Sequence, residues 1–196
     1  MKRQILLLLL AGVSAPALFA QRHEIGLTLG RFSRVNSGAV ELGTGTALQA
    51  NYGLRLVSSP FAALYAEVHF LANPQRLVTS TDRRATRDVA TLYVTPGIRV
   101  VFRPAARIRP WLSAGGGYAL HEHSLLNGAG APNPAPRFSH TGVVAAGAGV
   151  DASLWKWLGV RVELRDFYTG KPVYNVPTSG SRQNNIVFGG GFVLRF

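Results

Sequence analysis

From residue 22 to the last residue, apolar positions alternate with polar or small ones, segment after segment. A period of two belongs to extended strands with two unlike faces, because successive side chains of a strand point to opposite sides. The final segment shows it most plainly. Ile186, Phe188, Gly190, Phe192, Leu194 and Phe196 share one parity, and Asn185, Val187, Gly189, Gly191, Val193 and Arg195 the other. The same alternation runs through Leu48–Leu56, Ala62–Phe70, Leu92–Phe102 and Val160–Leu164, and more weakly through 24–30, 110–120 and 143–153. Eight strands of about nine to twelve residues are expected, and a strand crossing a bilayer needs about 9–11.

The two faces differ in a way that fixes which one looks outward. One is almost wholly apolar. The other carries Arg55, Glu67, His69, Arg99, Asp151, Arg161, Glu163, Arg165 and Arg195 among many Gly and Ala. In hydrocarbon an open sheet edge leaves backbone groups without partners, so a spanning sheet must close into a barrel with its apolar face outward. The nine residues are then expected to form an ion-pair network in the lumen, where Glu67, Asp151 and Glu163 suit the forked guanidinium groups. The small inward residues leave room for these long side chains. A soluble barrel with its apolar face inward also alternates, but it would need a polar exterior and an aliphatic interior.

Connection lengths alternate as well. Short turns are expected near Val57–Pro60, Arg103–Arg109 and Leu154–Trp157, and long loops near Ser33–Gly45, Ala72–Arg87, His121–Ser139 and Thr169–Gln183. Short turns at one end and long loops at the other are the habit of membrane barrels. The fold class expected is therefore all-β, an eight-stranded antiparallel up-and-down transmembrane β-barrel. Composition narrows the chemistry. There is no cysteine, which excludes disulfides and thiolate sites, and only 15% of the 196 residues are charged. The formal charge is +12, of which Lys2 and Arg3 account for two, leaving +10 beyond the first segment. The arginines are dispersed and form no basic run, so nucleic acid is not an expected partner.

Residues 1–20 read as a cleaved secretory signal peptide, with residues 21–196 as the barrel domain. Lys2 and Arg3 open it, Ile5–Val13 is apolar, and Ala15, Ala17 and Ala20 give small-residue exits, with cleavage after Ala20 preferred over Ala17. An uncleaved anchor is the alternative, but the apolar stretch is marginal for a span and Pro16 interrupts it.

The ending Phe188-Gly-Gly-Gly-Phe192-Val-Leu194-Arg-Phe196 resembles the carboxy-terminal targeting signal of bacterial outer-membrane barrels. Pro110–Tyr118, Gly147–Asp151 and Arg161–Tyr168 are similar to strands of the OmpA-like transmembrane domain, and the likeness covers most of residues 22–196. The resemblance implies location in the outer membrane of a Gram-negative envelope. It also implies contact with outer-membrane lipid and lipopolysaccharide, and handling by periplasmic chaperones and the barrel-assembly machinery, with Phe188, Phe192, Leu194 and Phe196 as the assembly signal. No peptidoglycan-binding domain follows, so the cell-wall tethering of larger members is not carried over.

Chemical sites are few. His121, Glu122, His123 and Ser124 cluster at one strand end, and His140 starts the next strand; a metal site or a Ser/His pair is conceivable there, yet the spacing of lipid A-modifying barrels is lacking. The cluster is read as a solvated loop stem. No catalytic residue, metal or cofactor is expected, and the chain is read as no enzyme. Gly115–Gly117 and Gly189–Gly191 lack the strand–loop–helix setting of a phosphate loop and read as curvature in a tight barrel. Trp155 and Trp157, flanking Lys156, are expected as interface aromatics. The leading functional expectation is a structural or surface-binding barrel with a filled, charged lumen. A lipid A-modifying enzyme and a narrow channel or carrier of small apolar ligands are the alternatives, and the sequence leaves the oligomeric state open.

Overall fold

The computed structural model describes residues 22–196. The signal-peptide reading of residues 1–20 lies outside the described residues. Ten strands follow in chain order: β1 (His23–Phe32), β2 (Val35–Ser37), β3 (Val40–Leu42), β4 (Gly45–Ser58), β5 (Ala62–Ser80), β6 (Asp88–Phe102), β7 (Ile108–His123), β8 (Phe138–Ser153), β9 (Leu158–Gly170) and β10 (Arg182–Arg195). Eight of them close into an antiparallel ring in the order β1, β4, β5, β6, β7, β8, β9, β10. The ring is sealed where β1 meets β10, from Glu24 opposite Arg195 to Phe32 opposite Val187. The eight expected strands are thus the eight staves of the barrel.

Local sequence accounts for the staves. Each carries the period-two pattern, and each turns its apolar parity outward. Leu29, Leu48, Phe70, Ile98, Leu112, Val144, Leu164 and Phe188, one from each stave, are all exposed. A contiguous apolar belt around a whole molecule exceeds anything a soluble monomer carries, and in a bilayer it is the lipid-facing surface. The soluble alternative with a polar exterior is therefore overturned: the polar side chains are inside. No helix among the described residues is long and apolar enough to cross a membrane.

The connections alternate as expected, with one correction. At the lower end, where residues 22 and 196 lie, turns of residues 59–61, 103–107 and 154–157 are short. At the upper end the loops are long. The segment Ala72–Arg87, expected as a loop, is mostly strand: β5 runs on to Ser80 and only residues 81–87 connect it to β6. The cause is the β2–β3 hairpin, which lies inside the first long loop and lays Val40–Leu42 against Val78–Ser80 of β5. Gly38, at φ 64°, makes the tight turn between those two short strands. Pairing is interrupted once between β6 and β7, around Pro96, which has no N–H to donate. There a Cβ on Gly97 would stand 2.2 Å from the Ala114 carbonyl oxygen, so glycine is what lets the two strands approach.

The lumen is filled in layers. Tyr65, Ala63, Val101 and Trp111 pack at the lower end. Charged side chains lie above them. An apolar layer of Phe32, Leu71, Tyr93, Phe167 and Val187 with small neighbours follows. Val40, Leu42, Val89 and Tyr174 close the top.

Candidate functional site: the charged lumen and the rims around it

The inward parity of seven staves delivers the charged layer. Glu24 comes from β1, Glu67 from β5, Arg99 from β6, Arg109 from β7, Asp151 from β8, Arg161, Glu163 and Arg165 from β9, and Arg195 from β10. All are less than a tenth exposed. Four carboxylates thus face five guanidinium groups out of water, where an unpaired charge is expensive and a paired one with all its hydrogen bonds made is not.

The pairing is dense. Arg161 donates through Nε to Asp151 Oδ1 at 2.7 Å and through Nη2 to Asp151 Oδ2 at 2.9 Å, a forked contact. Its Nη2 also reaches Glu24 at 2.7 Å and its Nη1 donates to Asn51 Oδ1 at 2.9 Å. Arg99 pairs with Glu24 and, through Nε, with Glu67 at 2.7 Å. Arg165 bridges Glu67 and Glu163, both at 3.0 Å. Arg195 joins Glu24 at 3.3 Å and Asp151 at 3.2 Å. Glu163 accepts from Thr28 Oγ1 at 2.6 Å and Gln49 Nε2 at 3.1 Å. Trp111 donates its ring N–H to Asp151 at 3.1 Å, and the guanidinium groups of Arg161 and Arg165 each lie 5.1 Å from its ring centre. Space is tight: a Cβ on Gly26 would stand 2.1 Å from Asn51 Oδ1.

Seven of the nine expected lumen residues, Glu67, Arg99, Asp151, Arg161, Glu163, Arg165 and Arg195, meet in this network. Two do not fit the expectation. His69 is buried in the lumen, but its ring nitrogens have no hydrogen-bond partner, and it packs on Phe167 at 5.7 Å between ring centres. Arg55 is half-exposed beside a break in the β4–β5 register, at the lower rim. Three members were not foreseen: Glu24, Arg109 and Trp111. Their parity was legible, since each alternates with outward neighbours, but the strands that carry them are short or Gly-rich.

Above the network the barrel is occluded. The void that touches Glu67, Arg165, Ser113 and Thr95 measures about 10 Å³, room for about one water. Above it Phe32, Leu71, Tyr93 and Phe167 fill the lumen, with the Arg76 guanidinium lying 4.5 Å from the Phe32 ring centre.

The upper rim corrects another expectation. His121 and His123 are buried, with 0% and 2% exposure, and are no solvated stem. His123 clasps two loops: its Nδ1 bonds the Pro136 carbonyl at 2.7 Å and its Nε2 accepts the Val173 N–H at 2.9 Å. Ser124 donates its hydroxyl to the Leu126 carbonyl at 2.6 Å. His140 lies away from this cluster, stacked on Tyr118. Tyr174 fills the top, donates to Gln183 at 3.1 Å, and burial pushes its phenol up to about 12. On the loop of residues 81–87 the Arg84 side chain and N–H both bond Asp82, holding that carboxyl down at about 2.

At the lower end Trp155 and Trp157 are exposed and stack on each other at 6.2 Å beside the β8–β9 turn. Phe196 exchanges backbone hydrogen bonds with His23 at 2.9 and 3.0 Å and stacks on its ring at 5.7 Å. Phe188, Phe192 and Leu194 point outward on the same strand.

An eight-stave ring with an apolar girdle, a charged filled interior and long loops at one end defines the class: this is the fold of the small bacterial outer-membrane β-barrels. Solved structures bear that out. Neisserial surface protein A superposes with a TM-score of 0.59 at 13% identity, over 90% of this chain and 99% of that one. OprG from Pseudomonas aeruginosa gives 0.57 at 12% identity, over 90% and 97%. Ail, the attachment invasion locus protein of Yersinia pestis, gives 0.51 at 12% identity, over 88% and 96%. No family model matches the chain, and no curated protein does.

Proposed function

We propose that the chain is exported through a signal peptide at residues 1–20 and that residues 21–196 reside in the outer membrane as a non-enzymatic barrel. Its work is structural or surface-binding, done by its outer wall and upper loops rather than through its lumen. The observation that carries this reading is the double seal inside: a densely ion-paired charged layer beneath an apolar layer of Phe32, Leu71, Tyr93 and Phe167. Eight staves enclose only enough space for side chains, and these occupy it. Phe188, Phe192, Leu194 and Phe196 serve as the assembly signal, and Trp155 and Trp157 anchor the lower rim at headgroup level.

The upper rim supports the non-enzymatic part. The Nε2 of His123 is engaged by the Val173 N–H, its Nδ1 meets a carbonyl and no carboxylate, and the Ser124 hydroxyl is held by the chain. A serine nucleophile needs a free base within reach and an acid behind that base. Planar-bilayer recording tests the reading. A flat trace at high protein is expected, and discrete conductance steps would overturn it.

A further inference from the structure

The outer wall beside the top of β10 holds a polar hollow of about 380 Å³. That is within the range of small-ligand sites. It lies between the β1–β2 connection, the first residues of β10 and the β9–β10 loop. Three cations line it: Arg34, Lys171 and Arg182. Three serines, three side-chain amides, Val35 and Ile186 complete the lining, and no carboxylate belongs to it. The two nearest acids stand at its margin, Glu41 paired with Arg34 at 3.1 Å and Asp166 accepting from Asn184 at 3.1 Å.

Two of its cations, Lys171 and Arg182, differ from Arg34, which closes on Glu41, and from three cations of the other upper loops. Arg84, Arg87 and Arg137 each close on an acid of their own, Asp82, Asp88 and Glu122. Lys171 instead donates to Ser37 Oγ and the Ser179 carbonyl, and Arg182 lies over the Tyr168 ring at 5.4 Å. Neither has a carboxylate partner among the described residues. Both are held in place by neutral groups with their charge uncompensated, which is how a site waiting for an anion is arranged.

The height of the hollow selects the anion. Arg182, Asn184 and Ile186 alternate on the outward face of β10, with Ile186 exposed at the upper edge of the apolar belt. Four residues of a strand tilted by about 40° put Arg182 about 10 Å above Ile186, outside hydrocarbon and beside lipid headgroups. We infer that this hollow binds the phosphate of a phosphorylated saccharide, and that the source is the glycolipid of the outer leaflet, reached sideways from the membrane. The inference rests on the outer-membrane reading above and gives one partner of that surface a place. Arg34 and Arg182 grip the phosphate, Lys171 fixes the loop, and Ile186 meets the first methylenes of the acyl chain.

The test uses the full protein purified from membranes and placed in phospholipid nanodiscs. It is titrated with lipopolysaccharide, with the same material after enzymatic removal of its phosphates, and with inorganic phosphate. Binding of intact lipopolysaccharide is expected to weaken about ten-fold on dephosphorylation and about ten-fold in the R34Q/R182Q double variant, the scale of one charge-assisted contact. It should weaken with added salt. The R83Q/R84Q variant, on a different loop, should stay within about two-fold. Equal affinity for the two lipopolysaccharide preparations, or a double variant that binds like the parent, overturns the site. Inorganic phosphate binding as tightly as lipopolysaccharide overturns the lipid source. Heat-modifiability and conductance are read on the same samples. A folded, silent barrel that lacks this binding sinks the inference alone, while a conducting one sinks the functional reading.

Discussion

At the scale of single residues, burial decides what a charge is worth. Arg161 is fully enclosed and touches Glu24, Asp151 and Asn51. Replacing it with leucine takes the forked partner from Asp151 and one cation from Glu24, in a medium that cannot solvate what they lose, and leaves Arg195 to bridge the two carboxylates. Arg161→Leu is expected to lower unfolding stability by about 3–5 kcal/mol, read as an earlier midpoint in urea unfolding from lipid vesicles. Arg34→Leu removes a pair whose side chains are 63% and 37% exposed, and should cost about 0–1 kcal/mol. Equal effects would mean that the lumen is wet. Sequence parity placed Arg161 and Asp151 on the same inward face, but not within reach of one another. Glu24, which binds Arg99 from 75 residues away and Arg195 from 171, left no local mark of its role.

At the scale of elements, β10 is where folding and assembly can be separated. Its pairing with β1 runs along nine residue pairs, and Phe196 adds two backbone bonds to His23 beyond them. Phe196→Ala keeps those backbone bonds and loses only the ring contact with His23. The variant refolded in detergent should therefore match the parent in heat-modifiability. The same substitution in cells should leave the chain in periplasmic aggregate, because an outward Phe at that position contributes little to the finished barrel. If the cellular yield is unchanged, the assembly signal lies elsewhere. The β2–β3 hairpin marks the opposite case. Its three-residue strands are too short for a period to register, and only their docking on β5 draws Val78–Ser80 into the sheet. The segment Ala72–Arg87 therefore resembled a loop.

At the scale of the whole molecule, the apolar belt and the paired lumen are one solution to one constraint. Inverting the barrel would bury Leu29, Phe70 and Phe188 and expose the arginines, but the lumen has no space for that many large apolar side chains beside the staves it already holds. The protein stripped of detergent into plain buffer is accordingly expected to aggregate, and to stay monodisperse once detergent is restored. Light scattering distinguishes the two, and a monodisperse species in plain buffer would sink the transmembrane reading.

The sequence by itself determined the eight staves, the face taken by nearly every residue on them and the alternation of short and long connections, because side-chain parity is a property of the extended chain and needs no partner. Tertiary structure alone decided which charges meet, that His121 and His123 are buried under loops, that His69 sits without a hydrogen bond and Arg55 at the rim, and that a cationic hollow opens beside Arg182. Those outcomes depend on register and ring closure, which set neighbours between residues far apart in the chain and which no local period encodes.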